Sequence, residues 1–263
     1  MYNCIEIIRD GRVATLALNM PEKLNAISAP VAQEVTAAIK ELDADDSVGA
    51  IVLTGRGKHF CAGGDIKRMK QLVDTKVYIT ADGIQICDDM ATAIRYCSKP
   101  VIAMINGTAT GAGCSAAMAC DFRIMGTSSK IGMAFVNMGL PGDTGGIYLM
   151  LKLIGPTMTN KMLMTGDPVG GEEAVAMGLA TMCVPDEELE AAAYGLAKKL
   201  SKKSASAIRL QKQVINKYVF GQEMMDYYVD EQAVMVEASN LPDFTEAVYA
   251  FCEKRKPEFN KKA

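Results

Sequence analysis

Three short apolar runs, each closed by a glycine, constrain this chain more than any other feature. They are "AIVLTG" at 50–55, "VIAMING" at 101–107 and "FRIMG" at 122–126. Runs of this length, apolar throughout and bounded by turn residues, read as buried strands. Helical patterns accompany them. Ser28 is placed to cap a helix whose first turn takes Pro30, and Val31, Val35, Ile39 and Leu42 then recur at spacings of four, four and three. "GAGCSAAMACD" is a glycine-rich turn running into a short apolar helix. Upstream, "CIEII" and "RVATLAL" are joined at Asp10-Gly11, a hairpin signal. Strands alternating with helices imply an α/β fold.

Past Gly146 the strand signals fade. Helical patterns take over at 147–153, 171–177, 187–200, 205–218, 222–237 and 244–253. The expected organisation is a core over residues 1–195 and a helical region over 196–263. A hydrophobic content of 49% over 263 residues supports a substantial core with no disordered linker. The 18 methionines fit that core as adaptable filler.

Charge and motif content exclude several function classes. A net charge of −3 argues against a nucleic-acid face, which needs concentrated Lys and Arg. The basic stretches "KKLSKK" from Lys198 and "KRK" at Lys254 read as solvated helix faces or ends, with a local phosphate contact as the alternative. Apolar stretches such as "AAMAC" are too short to span a membrane. "MYNCIEIIRDGRV" carries charges inside a strand-like pattern and does not read as a signal peptide. The eight cysteines lack zinc or disulfide spacing, so no metal site, reduced thiols and a cytoplasmic setting are expected. One histidine, His59, excludes a site with two imidazole ligands, and no G-x-S-x-G accompanies it. Nucleotide-triphosphate and dinucleotide glycine motifs are absent.

Two turns share a pattern. "LTGRGKHFCAGGD" and "INGTATGAGCS" each follow a buried strand and lead toward a helix. Small residues let backbone N–H groups approach a ligand, and a helix start adds positive dipole. Two such amides aimed at one oxygen make an oxyanion hole. Taken singly, each turn is as well explained by tight strand–helix packing. A third stretch, "GLPGDTGG" at 139–146, sets Asp143 among four glycines and a proline. Asp143 can cap the following helix, serve a solvated turn, or act as a catalytic acid or base.

In order and spacing, "EKLNAIS", "IVLTGRGKHFCAGGDIKRM", "KPVIAMINGTATGAGCSAAMACDFRIM", "GLPGDTGG" and "MTGDPVGGEEAVAMGLATMCVP" resemble the crotonase, or enoyl-CoA hydratase/isomerase, superfamily over about residues 3–260. The resemblance implies a crotonase-like spiral of ββα turns with a C-terminal helical trimerisation region, hence a homotrimer or homohexamer. It also implies an acyl-CoA thioester as substrate, with no separate cofactor. By position, the amides of Gly64 and Ala112 would hold the thioester oxygen. Leu24, Ala62, Asp65 and Ile66 match positions lining the pantetheine and adenine site, and Phe259 and Lys262 in "KPEFNKK" match the tail that reaches CoA.

The hydratase branch of that family orients a water between two glutamates. Ser115 and Phe135 stand at the matching positions here, so ordinary hydration is not expected. Asp143 matches an acid that isomerase-type members and some dehalogenases place over the acyl group. One base suffices to move a double bond, and an apolar wall of Phe135, Met138 and Leu140 would raise its proton affinity toward working pH. Ser115 either hydrogen-bonds substrate or packs a helix. The expected activity is therefore enoyl-CoA isomerisation with Asp143 as base. The alternatives are hydration of an enoyl-CoA or cyclic dienoyl-CoA, decarboxylation, and dehalogenation, the last disfavoured by the lack of Trp. A non-catalytic acyl-CoA-binding protein is the reading from a different class.

Overall fold

The computed structural model describes residues 2–259. Asp10-Gly11 makes the expected hairpin: β1 (Ile5–Asp10) and β2 (Val13–Leu18) pair antiparallel from Asp10↔Val13, with Gly11 at φ 57°. The glycine-closed runs become β3 (Ala50–Gly55), β4 (Val101–Ile105) and, after the short β5 (Thr108–Thr110), β6 (Phe122–Gly126). Three short strands follow: β7 (Lys130–Gly132), β8 (Val169–Gly170) and β9 (Met182–Val184). The main sheet has the order β1-β2-β3-β4-β6-β9 and is parallel throughout beyond the hairpin. A small second sheet, β5-β7-β8, stands beside it.

Every residue of β2 and β3 is buried, as a parallel sheet covered on both faces requires. One face packs on α1 (Ala29–Ala44), α3 (Ala81–Tyr96) and α4 (Ala112–Ala119), which joins Leu16, Ile51 and Leu53 to Val35, Ile39, Ile94 and Met118 in one cluster. Between α1 and α3 lies α2 (Ile66–Thr75), and α5 (Gly146–Thr165) and α6 (Gly171–Ala176) follow α4. The other face is covered by α7 (Leu189–Ser201), where Leu189, Ala193 and Ala197 meet Val13, Val52, Ile102 and Ile124. The 195/196 division falls inside α7.

Two helices lie where the sequence pattern marked none. α2 is amphipathic but has no buried residue, and α3 carries Asp88 and Arg95 on its buried stripe, which blurs its apolar period. α5 runs past 153, because the chain resumes helical geometry after a break at Gly155 (φ 69°, ψ 172°) ahead of Pro156. Ser28 stands at the N-cap of α1 with Pro30 in the first turn, though its hydroxyl makes no capping bond.

The C-terminal helices α8 (Ala205–Val219), α9 (Gln222–Ser239) and α10 (Pro242–Cys252) fold back on the core. α9 packs on α3, and α10 packs on α2 and on the 3₁₀ turn Ala134–Met138. Asp121 is a half-buried anchor for α8. It pairs with Arg95 of α3 and, at 2.6 Å, with Lys212 of α8. Among the described residues no helix is long and apolar enough to cross a membrane.

Candidate active site

The turns after β3 and β4 meet through a short parallel bridge. Cys61 N–H donates to the Thr108 carbonyl at 2.9 Å, and Thr110 N–H donates to the Cys61 carbonyl at 3.0 Å. Glycine makes this approach possible. Gly63 sits at φ 93°, and a Cβ there would lie 3.0 Å from the Thr110 carbonyl oxygen. A Cβ on Gly113 would lie 2.6 Å from that of Cys61. Gly63 and Gly111 are thereby neighbours, and the next residue in each turn is Gly64 and Ala112 respectively. Ala112 opens α4, so its N–H is one of the donors a helix start leaves without a partner. Neither the Gly64 nor the Ala112 N–H has an acceptor among the described residues. The adjacent turns thus present two unpaired amide donors at the positive end of α4.

Asp143 lies in the turn that precedes α5. Gly142, Thr144 and Gly145 in that turn all have positive φ, at 140°, 61° and 70°. A β-branched residue there is strained, at a cost on the order of 1–3 kcal/mol. The Asp143 carboxylate does not cap α5. The N-cap is Gly145, with no side-chain capping bond, and Asp143 Oδ1 instead accepts from the Thr144 hydroxyl at 2.7 Å. Burial pushes the Asp143 carboxyl up to about 6, against a smaller downward pull from Thr144. That places a carboxylate where it can hold or release a proton near neutral pH.

Ser115 is wholly buried. Its hydroxyl donates to the main-chain carbonyl of Asp143 at 3.2 Å, tying α4 to the aspartate turn. Phe135 sets its ring against Gly111, so it walls the amide side of the site. Met133 and Ile147 flank Gly142, and the Met69 methyl lies over Gly64. Leu140 is buried and Met138 half-buried in the segment leading to Asp143.

Leu24, Ala62, Asp65 and Ile66 gather beside Gly64. Ala62 N–H donates to the exposed Leu24's carbonyl at 3.0 Å, and the Asp65 carboxylate caps α2 by accepting from the N–H groups of Lys67 and Arg68. Asn25 holds this corner, accepting from Met20 N–H and donating to the carbonyls of Arg56 and His59. Phe259 is half-buried at the end of the described residues, and Lys262 lies outside them.

Sequence reasoning missed two acids next to this site. Asp88 of α3 and Glu231 of α9 are almost fully buried. Glu231 accepts the Gly145 N–H at 2.9 Å, inside the aspartate turn. A signal was present. Ile84, Asp88, Ala91 and Arg95 share a helical stripe, as do Met224, Tyr228, Glu231 and Met235, and an acid on a buried stripe needs a reason. Among the described residues no cluster of His, Cys, Asp and Glu could hold a metal ion, and all eight cysteines are free.

A family model described as Enoyl-CoA hydratase/isomerase matches residues 9–262. A protein named "Probable enoyl-CoA hydratase" from Mycobacterium bovis is 36% identical over 258 residues, covering 98% of each chain. A "Trans-2-decenoyl-[acyl-carrier-protein] isomerase" from Streptococcus mutans is 31% identical, covering 96% of each. The solved structure of an enoyl-CoA hydratase from Mycobacterium avium subsp. paratuberculosis superposes with a TM-score of 0.89 at 25% identity, covering 99% of this chain and 100% of that one.

Proposed function

The chain belongs to the enoyl-CoA hydratase/isomerase family and has the crotonase fold, and we propose that it shifts the double bond of an enoyl-CoA thioester with Asp143 as its base. The observation that carries this reading is the Asp143 carboxyl, its proton affinity raised by burial, in a turn bonded through Ser115 to the helix that presents an unpaired amide. In the proposed reaction the Gly64 and Ala112 amides hold the thioester oxygen. Asp143 removes a proton from carbon, and the C–H electron pair moves into the enolate. The same carboxyl then returns the proton to the other end of the three-carbon unit. Leu24, Ala62, Asp65 and Ile66 contact the pantetheine and adenine, Phe259 and Lys262 reach CoA from the tail, and no separate cofactor takes part. A cytoplasmic setting belongs to this proposal and rests on the eight unpaired cysteines.

Hydration is the second reading, favoured by the name of the Mycobacterium bovis relative, whereas the Streptococcus mutans relative is named an isomerase. Against it, positions 115 and 135 hold Ser and Phe, neither of which can orient water as a carboxylate does. Turnover of 2-enoyl- and 3-enoyl-CoA esters followed by mass decides between them. Isomerisation leaves the mass unchanged and hydration adds one water. Asp143→Asn is expected to lower turnover by about 10²–10⁴ while acyl-CoA affinity is retained. Water addition as the sole reaction would overturn the isomerase reading, and affinity without turnover on the whole panel would leave a binding protein.

A further inference from the structure

Two buried acids have no part in the chemistry above. Asp88 is 0% exposed and Glu231 2%. The packing of α9 on α3 brings their carboxyls within hydrogen-bonding reach of each other. Two ionised carboxylates there would carry both the cost of burial and that of like charge. The donor inventory agrees. Asp88 Oδ2 accepts from Gln232 Nε2 at 2.9 Å, but Asp88 Oδ1 is buried without an N–H or O–H donor. A proton on Glu231 supplies that donor. The oxygens of Glu231 in turn accept from the Tyr227 hydroxyl at 2.6 Å and the Gly145 N–H at 2.9 Å. Gly145 is the N-cap of α5, two residues beyond Asp143.

We propose that Asp88 and Glu231 share one proton, held mainly on Glu231, and act as a positioning pair that fixes the Asp143 turn through the Gly145 amide and strengthens Asp143 as a base. This rests on the reading of Asp143 as the base. The groups that face the pair come from several elements: Cys87 and Asp89 from α3, Asp143 from its turn, Tyr148 from α5, and Tyr227 and Tyr228 from α9, with Arg68 of α2 beside Cys87. Burial pushes the proton affinity of both Asp88 and Glu231 upward, and the charge of Asp143 adds to both. Glu231 is still a neutral acid when Asp143 has become a carboxylate. The coupling is mutual, so a charge on Asp88 raises the proton affinity of Asp143.

The test compares the full-length wild type with Glu231→Gln, Glu231→Leu and Asp88→Asn. The readouts are solvent-deuterium exchange into a 3-enoyl-CoA across pH and carbon-detected NMR titration of the carboxyls. Gln mimics a protonated Glu, accepting from Gly145 and donating to Asp88, so its kcat should stay within about 3-fold of wild type. Leu does neither, and kcat should fall at least ~10-fold with little change in KM. Asp88→Asn should move the acid limb of the exchange profile down by roughly half a pH unit or more. NMR of the wild type should show Glu231 protonated at pH 7. Glu231 titrating in the ordinary carboxylate range, or Glu231→Gln as impaired as Glu231→Leu, would overturn the pair. Failure of the base reading shows up elsewhere, as undiminished exchange in Asp143→Asn, while the NMR titration still decides who holds the proton.

Discussion

At Asp143 the raised proton affinity acts on rate and on stability with opposite signs. A base must be ionised, so proton exchange should rise with pH through about 6 and then level off. Stability runs the other way. The folded-state value of about 6 lies above the ordinary 3.8, so the folded protein binds this proton more tightly than the unfolded chain. The favourable contribution is complete below 3.8, is lost between 3.8 and about 6, and leaves a constant penalty above that. Asp143→Asn should therefore be more stable than wild type at pH 8, by on the order of 1–3 kcal/mol. The gain should shrink toward zero at pH 4, as read by denaturant unfolding at the two pH values. An Asn variant no more stable at pH 8 than at pH 4 would place Asp143 in a solvated turn. The glycine-rich turn by itself left Asp143 between cap, turn residue and catalytic group, and it was the order and spacing of the motifs around it that singled it out. Its neighbours Asp88 and Glu231 could not be assigned, because nothing local says that α3 and α9 meet.

Among the elements, the meeting of two turns decides whether two amides can serve one oxygen. Gly113, inside α4, lies against Cys61 of the preceding turn with no room for a side chain. Gly113→Ala forces a Cβ to within 2.6 Å of Cys61 Cβ and 2.8 Å of its carbonyl oxygen. Backbone there cannot give way without separating Gly64 from Ala112. The variant should lose about 10²–10³ in kcat, the size of one misplaced oxyanion donor. Acyl-CoA affinity, carried by contacts outside the turn, should change far less, which separates turn displacement from global unfolding. Activity within a few-fold of wild type would mean that the turns do not act as a unit. The strands and glycines of these turns were readable from the chain alone. Ser115 was left between substrate contact and packing, and its hydrogen bond to the Asp143 carbonyl was not legible, since only the folded chain brings the two residues together.

For the whole molecule, α8 presents an apolar stripe to solvent. Leu210, Val214 and Tyr218 recur every four residues at 51%, 58% and 77% exposure, while the opposite side of the helix anchors Lys212 to Asp121. Such a stripe suits a symmetric self-contact, and a closed homotrimer or homohexamer remains our proposal for it. Replacing Val214 with Asp together with Tyr218→Lys should shift the solution mass to that of a 28.2 kDa monomer, and a wild type that is monomeric at micromolar concentration would refute the assembly. The sequence by itself determined the α/β class, the Asp10-Gly11 hairpin, the glycine-closed strands and the helical C-terminal region. These follow from local backbone preference and from apolar periodicity, which a chain carries before it folds. Tertiary structure alone decided that α9 and α10 close back over the core of their own chain, that Glu231 reaches the Gly145 amide, and that the burial of the Asp143 carboxyl raises its proton affinity. Those outcomes depend on contacts between residues far apart in sequence and on the loss of water around them, and neither is encoded in any short stretch of the chain.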